Sequence, residues 1–346
     1  KKNSRRKQAR FRSSRRKRIR NTVLLLFLLV VLGGTGIGAI YVLRNGTVFD
    51  KLEEAYVASR EFSGGITDLD SLRADGFAKN LCVVVSDVPM DGVSLGENQK
   101  GLLLDLDDRK VLYSKQALQK VYPASITKIM TAMLALKYGN MNDVVTITQE
   151  NLNLEEGSQV CGFWAGDQVT LDQLLHCLLV YSGNDAAAAI AEHVGGSTEG
   201  FVEMMNSYAR ELGCTGTHFT NPHGLQDENH YTTPYDIYLM LKEALNYPEF
   251  TQITQSGSYT VEYTHADGSS ASTTLLATDH YLTGEATPPK NVTILGGKTG
   301  TTDNAGNCLA LLSQNAYGKP YISIVMGAST KDELYEQMSS LLQNIN

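Results

Sequence analysis

Residues 123–136 read PASITKIMTAMLAL. The apolar positions Ile126, Ile129, Met130, Met133, Leu134 and Leu136 recur at helical spacing and stop at Gly139, which predicts a buried helix. Ser125 and Lys128 stand at its start, three residues apart and so on one face. A serine hydroxyl is a weak nucleophile until a base takes its proton. A lysine can be that base when burial or nearby cations lower its pKa. The helix N-terminus adds partial positive charge beside the serine. By itself S-x-x-K also describes many exposed helices, so its meaning depends on the rest of the chain.

Two further tripeptides stand out. Ser182-Gly183-Asn184 follows between two predicted helices. Before it, Thr170 and Gln173 form a capping box for residues 171–180. After it, residues 185–193 are Ala-rich. A loop there aims a hydroxyl and an amide at one point, although Ser-Gly-Asn is also ordinary turn chemistry. Lys298-Thr299-Gly300, preceded by Gly296-Gly297, falls at the end of a strand predicted over 292–298. Glycines there admit close approach of a ligand backbone, and an extended peptide can add to such an edge.

The remaining elements follow from pattern. Residues 102–106 and 110–113 read as strand, turn, strand. Residues 201–212 form a helix stopped by Gly213, and Thr233 caps another with Pro234 at its first position. Residues 258–264 and 271–276 alternate about a hairpin turn, and 307–313 and 321–327 read as strands. A last helix starts at Thr330, boxed by Glu333, with Leu334, Met338, Leu341, Leu342 and Ile345 on one face. Strands, helices, strands, helix: the order predicts an α+β fold, an antiparallel sheet flanked by helices and carrying a helical insertion.

Charge divides the chain. The first 20 residues hold 12 Lys or Arg and no acid, leaving 18 basic against 37 acidic residues in the other 326. Such a tail could be a nucleic-acid arm, but residues 21–43 follow without one charge. Val23 to Leu43 is long enough, at about 1.5 Å per residue, to cross a bilayer. Residues 1–20 are therefore expected as a cytoplasmic tail, 21–43 as a transmembrane anchor, 44–78 as a juxtamembrane linker and 79–346 as the outer domain. Cleavage of 21–43 as a signal peptide is the competing reading. The acidic body argues against nucleic acid as a partner.

S-x-x-K, S-x-N and K-T-G in this order form the set found in penicillin-binding proteins and class A β-lactamases. The stretches PASITKIMTAMLAL, VYSGNDAAAAIAEHVGGS, THFTNPHGLQDENHYTTPYD and GGKTGTTDNAGNCLALL resemble more narrowly the serine D-alanyl-D-alanine carboxypeptidases of peptidase family S11. The resemblance runs from about residue 102 to 327 and implies a DD-peptidase/β-lactamase-like fold with a helical subdomain. It implies that Ser125 attacks the carbonyl between the last two D-alanines of a peptidoglycan stem peptide, and that Lys128 takes its proton. Ser182 and Asn184 complete the proton network and hold the substrate amide. Lys298, Thr299, Gly300 and Thr301 bind substrate, with the N–H groups of Ser125 and Thr301 as oxyanion hole. β-Lactams would acylate the same serine. No cofactor is expected.

The sequence departs from the family pattern where some members carry an arginine after the last strand. Lys331 is the only cation in residues 327–333, so carboxylate binding is expected to rest on Lys298, Thr299 and Thr301. Many members continue into a β-rich domain with an amphipathic membrane helix. This sequence ends at its final helix, so 21–43 is the expected membrane attachment. A D,D-endopeptidase on cross-links is the main alternative reading. A β-lactamase, whose E-x-x-N would have to be Glu150 to Asn153, and a non-catalytic cell-wall binder or β-lactam sensor stand behind it. His223, Asp227 and His230 are read as structural, with no metal. Cys82, Cys161, Cys177, Cys214 and Cys308 are odd in number with no C-x-x-C, which favours buried thiols. Trp164 is expected to pack.

Overall fold

The computed structural model describes residues 80–346. The expected tail, anchor and linker over 1–20, 21–43 and 44–78 lie outside the described residues. Among the described residues no helix is long and apolar enough to cross a membrane.

The first strands among the described residues are β1 (Lys100–Asp105) and β2 (Lys110–Lys115), the predicted hairpin. A 3-10 turn (Ala124–Thr127) leads into α1 (Lys128–Tyr138), and β3 (Val144–Thr146) and β4 (Gln168–Thr170) follow. Helix α2 (Leu171–His176) starts at the Thr170–Gln173 capping box and runs into a π-helical turn (Cys177–Tyr181). Three more helices, α3 (Asn184–Gly195), α4 (Thr198–Glu211) and α5 (Pro234–Ala244), build the helical region, with Thr233 accepting from Asp236 N as the N-cap of α5. Then come α6 (Pro248–Thr254), β5 (Ser258–Thr264), β6 (Ser270–Leu276), α7 (His280–Thr283), β7 (Thr293–Thr302), β8 (Gly306–Gln314), β9 (Pro320–Ala328) and α8 (Lys331–Leu342).

The main sheet is antiparallel, in the order β2-β1-β9-β8-β7. Its central strands are apolar on both faces because both are covered. Leu102, Leu104, Ala310, Leu312, Ile322 and Ile324 face the helical region. Leu103, Leu309, Leu311 and Val325 face Leu334, Met338, Leu341, Leu342 and Ile345 of the C-terminal helical segment. Alternate residues of one strand thus serve two cores. Helix α1 is buried nearly all round, from Lys128 to Ala135.

Three expectations are corrected. The described residues form two antiparallel sheets, not one: the hairpin β5–β6 belongs to a second sheet, β3-β4-β5-β6. Strands β3 and β4 have three residues each, too short for an alternating pattern to register. Lys298-Thr299-Gly300 lies inside a strand, because β7 continues to Thr302 and pairs with β8 throughout that stretch. Glycines normally demote such a run, but register with apolar β8 overrides local propensity. Glu333 does not close a reciprocal box with Thr330. Thr330 accepts from Glu333 N at 3.1 Å, but the Glu333 carboxylate accepts from Ser329 N at 2.7 Å.

The five cysteines are free and buried. Trp164 is not packed: it is 68% exposed and stacks on His265.

Leu309 is fully buried between β8 and the C-terminal helix. Leu309→Ala is expected to cost about 2–5 kcal/mol, read as a lower urea midpoint at unchanged slope.

Candidate active site

The predicted serine sits in the 3-10 turn, not in the α-helix that follows it. Ala124, just before it, has φ +47°, a conformation that a non-glycine residue adopts only when its surroundings enforce it. The enforcing contacts form a relay. Thr220 N–H donates to His230 Nδ1 at 3.0 Å, which puts the ring proton on Nε2. Nε2 lies 2.8 Å from Thr127 Oγ1, and the Thr127 hydroxyl donates to Ala124 O at 2.8 Å. Gly224 closes against the same carbonyl: a Cβ there would overlap Ala124 O. His223, Asp227 and His230 are therefore not a ligand set. His230 holds the turn, and the His223 carbonyl serves the lysine described next.

Lys128 is fully buried. Its Nζ lies 2.8 Å from Ser125 Oγ, 2.6 Å from Asn184 Oδ1 and 2.8 Å from His223 O. Burial first, and the Lys298 charge second, hold this amine well below the usual lysine range. A neutral amine has two N–H groups and one lone pair. The carbonyls of Asn184 and His223 can only accept, so they take both N–H groups, and the lone pair is left for the Ser125 hydroxyl proton.

The second half of the site is built on Ser182. The π-helical turn delivers it in the left-handed conformation, φ +69°, with its hydroxyl accepting from Lys298 Nζ at 2.9 Å. Lys298 also donates to Thr299 O at 3.0 Å. It is 1% exposed, and burial lowers it to about 7 against the opposing pull of Asp279. Asn184, at the start of α3, donates its backbone N–H to Gln159 O at 2.8 Å. The adjoining Asp185 carboxylate accepts from Cys161 N and Gly162 N at 2.8 and 3.3 Å, fastening the 157–162 segment as a wall of the site.

Strand β7 forms the other wall. It is the edge of its sheet, so its outer N–H and C=O groups face the cleft. Gly300 passes so close to the serine that a Cβ would meet Ser125 N at 2.9 Å and Pro123 O at 3.0 Å. Thr301, next along, donates to Asn307 Oδ1 at 3.1 Å, and Thr299 Oγ1 lies 2.5 Å from Thr278 Oγ1. The cleft holds about 320 Å³ and is lined by Ser125, Ser182, Asn184, Thr299, Gly300 and Thr301 among others. Lys128 and Lys298 stand behind that lining. All eight predicted residues therefore converge.

Pattern reading missed Ser158, Gln159, Thr278 and Asn307, which also line the cleft. They lie in loops and a strand with no motif of their own. Lys331 also lines it, as the cation beyond Lys298. Among the described residues the cleft lining has no carboxylate, and Glu150 is exposed in a 3-10 turn outside it. A larger cavity of about 650 Å³ between β4 and β5 contains none of these groups; we place the site by its chemistry.

A buried lysine bonded to a serine hydroxyl, with a second serine–lysine pair beside it, is a serine–lysine acyl-transfer arrangement on an α+β DD-peptidase fold. The chain belongs to the D-alanyl-D-alanine carboxypeptidase family, peptidase S11, whose model matches residues 96–330. It is 36% identical to the D-alanyl-D-alanine carboxypeptidase DacF of Bacillus subtilis over 251 residues, 71% of this chain and 61% of that protein. It is 34% identical to the D-alanyl-D-alanine carboxypeptidase DacC of Escherichia coli over 253 residues, 70% of this chain and 59% of that protein. The match thus spans about three fifths of these relatives' length. Among solved structures it resembles the Streptomyces K15 DD-transpeptidase, with a TM-score of 0.66 and 27% identity, covering 74% of this chain and 98% of that one.

Two outcomes are expected from the electrostatics. Lys298 titrates near 7 when folded against 10.5 as its ordinary value. Between those values the unfolded chain holds a proton that the folded chain has lost, so the lysine costs stability below pH 7 and less as pH rises. Lys298→Met should raise the thermal midpoint at neutral pH by about 2–6 °C. Conversely, burial lowers His223 to about 3 and His230 to about 4 from 6.5. The unfolded chain gains protons that the folded chain refuses between pH 6.5 and 4, so the midpoint should fall with pH across that window, with a shallower slope in His230→Asn.

Proposed function

We infer that this protein is a serine D-alanyl-D-alanine carboxypeptidase that removes the terminal D-alanine from peptidoglycan stem peptides. The observation that carries it is the pairing of two lysine–hydroxyl contacts, Lys128–Ser125 and Lys298–Ser182, in a cleft walled by a free strand edge.

Lys128 takes the hydroxyl proton as Ser125 Oγ bonds to the carbonyl carbon. The oxyanion is received by the backbone N–H groups of Ser125 and Thr301, which Gly300 brings side by side. Asn184 holds the substrate amide. As the carbon–nitrogen bond breaks, the proton taken by Lys128 passes through Ser182, whose hydroxyl Lys298 orients, to the leaving D-alanine nitrogen, and Lys128 returns to its neutral form. Lys298 with Thr299 and Thr301 receives the terminal carboxylate. Water then attacks the acyl carbonyl, Lys128 again accepting a proton, and Ser125 regains its own.

A β-lactam would acylate Ser125 and remain. The lining offers no carboxylate to drive a deacylating water, which supports penicillin binding over β-lactam hydrolysis. The charge-free segment 21–43 behind 12 basic residues supports a single-pass membrane protein with this domain on the wall side.

The full chain in detergent is expected to release D-alanine from a pentapeptide ending in D-Ala-D-Ala and to capture labelled penicillin covalently. Ser125→Ala should lose both, and capture that survives it would overturn the reading. Release from cross-linked dimers faster than from pentapeptide would favour the endopeptidase.

A further inference from the structure

Asp279 is a buried carboxylate that the chemistry above does not use. It is 6% exposed and precedes α7, where its Oδ1 accepts from Tyr281 N at 3.0 Å. Tyr335 Oη accepts from His280 N at 2.8 Å, which turns its own proton to Asp279 Oδ1, at 3.3 Å. Both donors serve the same oxygen. Asp279 Oδ2 is equally buried and has no hydrogen-bond partner among the described residues. A helix cap explains Oδ1 alone, and serine or asparagine would cap without burying a charge. An orphaned carboxylate oxygen in the interior is costly unless a cation offsets it.

That cation is Lys298. Asp279 and Lys298 together line a small cavity of about 10 Å³, with Thr278 and Thr299 beside them. It is no larger than one water, so the two groups act on each other across a short gap. Lys298 Nζ gives one N–H to Ser182 Oγ and one to Thr299 O. Two is all that a neutral amine can donate, and its lone pair would then share the cavity with a carboxylate. An ammonium has a third N–H to offer instead. Burial lowers Lys298, and the Asp279 charge opposes it. Burial raises Asp279, and Tyr281, Tyr335, His280 and Lys298 oppose that. The other ionisable group beside the pair is Lys128 of α1, which burial and then the Lys298 charge depress.

We propose that Asp279 is a positioning residue that acts through Lys298, holding this lysine as an ammonium from behind β7. The two buried lysines of the site then differ in charge because only one of them shares a cavity with an orphaned carboxylate oxygen. Lys128, whose N–H groups go to two carbonyls, is the neutral base. Lys298 is the cation that orients Ser182 and attracts the substrate carboxylate. Its charge in turn helps to keep Lys128 neutral, so Asp279 supports the base at one remove. The use of this charge in turnover rests on the proposed function, but the protonation of Lys298 does not.

The test follows the titration of Lys298 by NMR in the full chain in detergent, with lysines labelled at Cε and the Lys298 signal assigned by its loss in Lys298→Met. In Asp279→Asn the Lys298 midpoint should fall by about one pH unit, a tenfold loss of proton affinity. The alkaline limb of kcat/KM for D-alanine release from a pentapeptide should move down with it. A residue that only caps α7 would leave both unmoved, because asparagine caps as well as aspartate. An unmoved or raised Lys298 midpoint in this variant would therefore overturn the proposal. Where Asp279→Asn does not fold, the unmutated chain decides: Lys298 should titrate above Lys128, whose signal is lost in Lys128→Met, and the reverse order would overturn the proposal. Failure of the unmutated chain to release D-alanine would instead overturn the carboxypeptidase reading, while the titration still decides the role of Asp279.

Discussion

The site depends on one constraint: an amine buried without a bonded counter-ion. Lys128 Nζ meets no carboxylate, only Ser125 Oγ, Asn184 Oδ1 and His223 O among the described residues. A charged ammonium there would lack both water and a paired opposite charge, so the fold drives it toward the neutral form. The two carbonyls then consume its N–H groups and leave one lone pair, directed at Ser125 Oγ. Each acceptor comes from a different part of the chain, and the helical region is arranged to bring them together.

The surroundings bear the cost of that arrangement. Ala124 and Ser182 both sit at positive φ, one before Ser125 and one carrying the second hydroxyl. Strain of this kind persists only where neighbours over-determine it. Here they are the His230–Thr127 relay, the bare Cα of Gly224 and the π-helical turn that ends at Ser182. The second buried lysine, Lys298, adds to the cost, because its proton is held only weakly. Stability is given up where the chemistry is performed.

Much of this was legible in the sequence. The α1 stripe, the Thr170–Gln173 box, the Thr233–Pro234 start and the three long C-terminal strands carry strong local signals, and the structure repeats them. The three motifs named seven of the eight site residues, because each uses residue types with little other reason to recur in that order, and the family resemblance added Thr301. What stayed hidden depends on contacts between distant segments. Strands β3 and β4 are too short for periodicity, and their sheet exists only because the β5–β6 hairpin docks beside them. The continuation of β7 through Lys298-Thr299-Gly300 is fixed by β8, against local glycine propensity. The sequence reads His230 as structural, but its part in holding the turn shows only through its contacts with Thr220 and Thr127. Trp164, expected to pack, is exposed and stacked on His265, a contact that the sequence does not signal.

The edge position of β7 has a further consequence. An unpaired strand edge accepts any extended chain, including another sheet. This one is open only briefly. Register slips between Ile294 and Gly296, and a Cβ on Gly296 would run into Thr254 at the end of α6. Farther along, the nucleophile's own turn closes on Gly300, and the β7–β8 turn ends the strand after Thr302. The exposed hydrogen-bonding row is therefore a few residues long. It is too short to template a strand of a folded protein. The short open row is thus also a safeguard against self-association in a domain that presents an open edge.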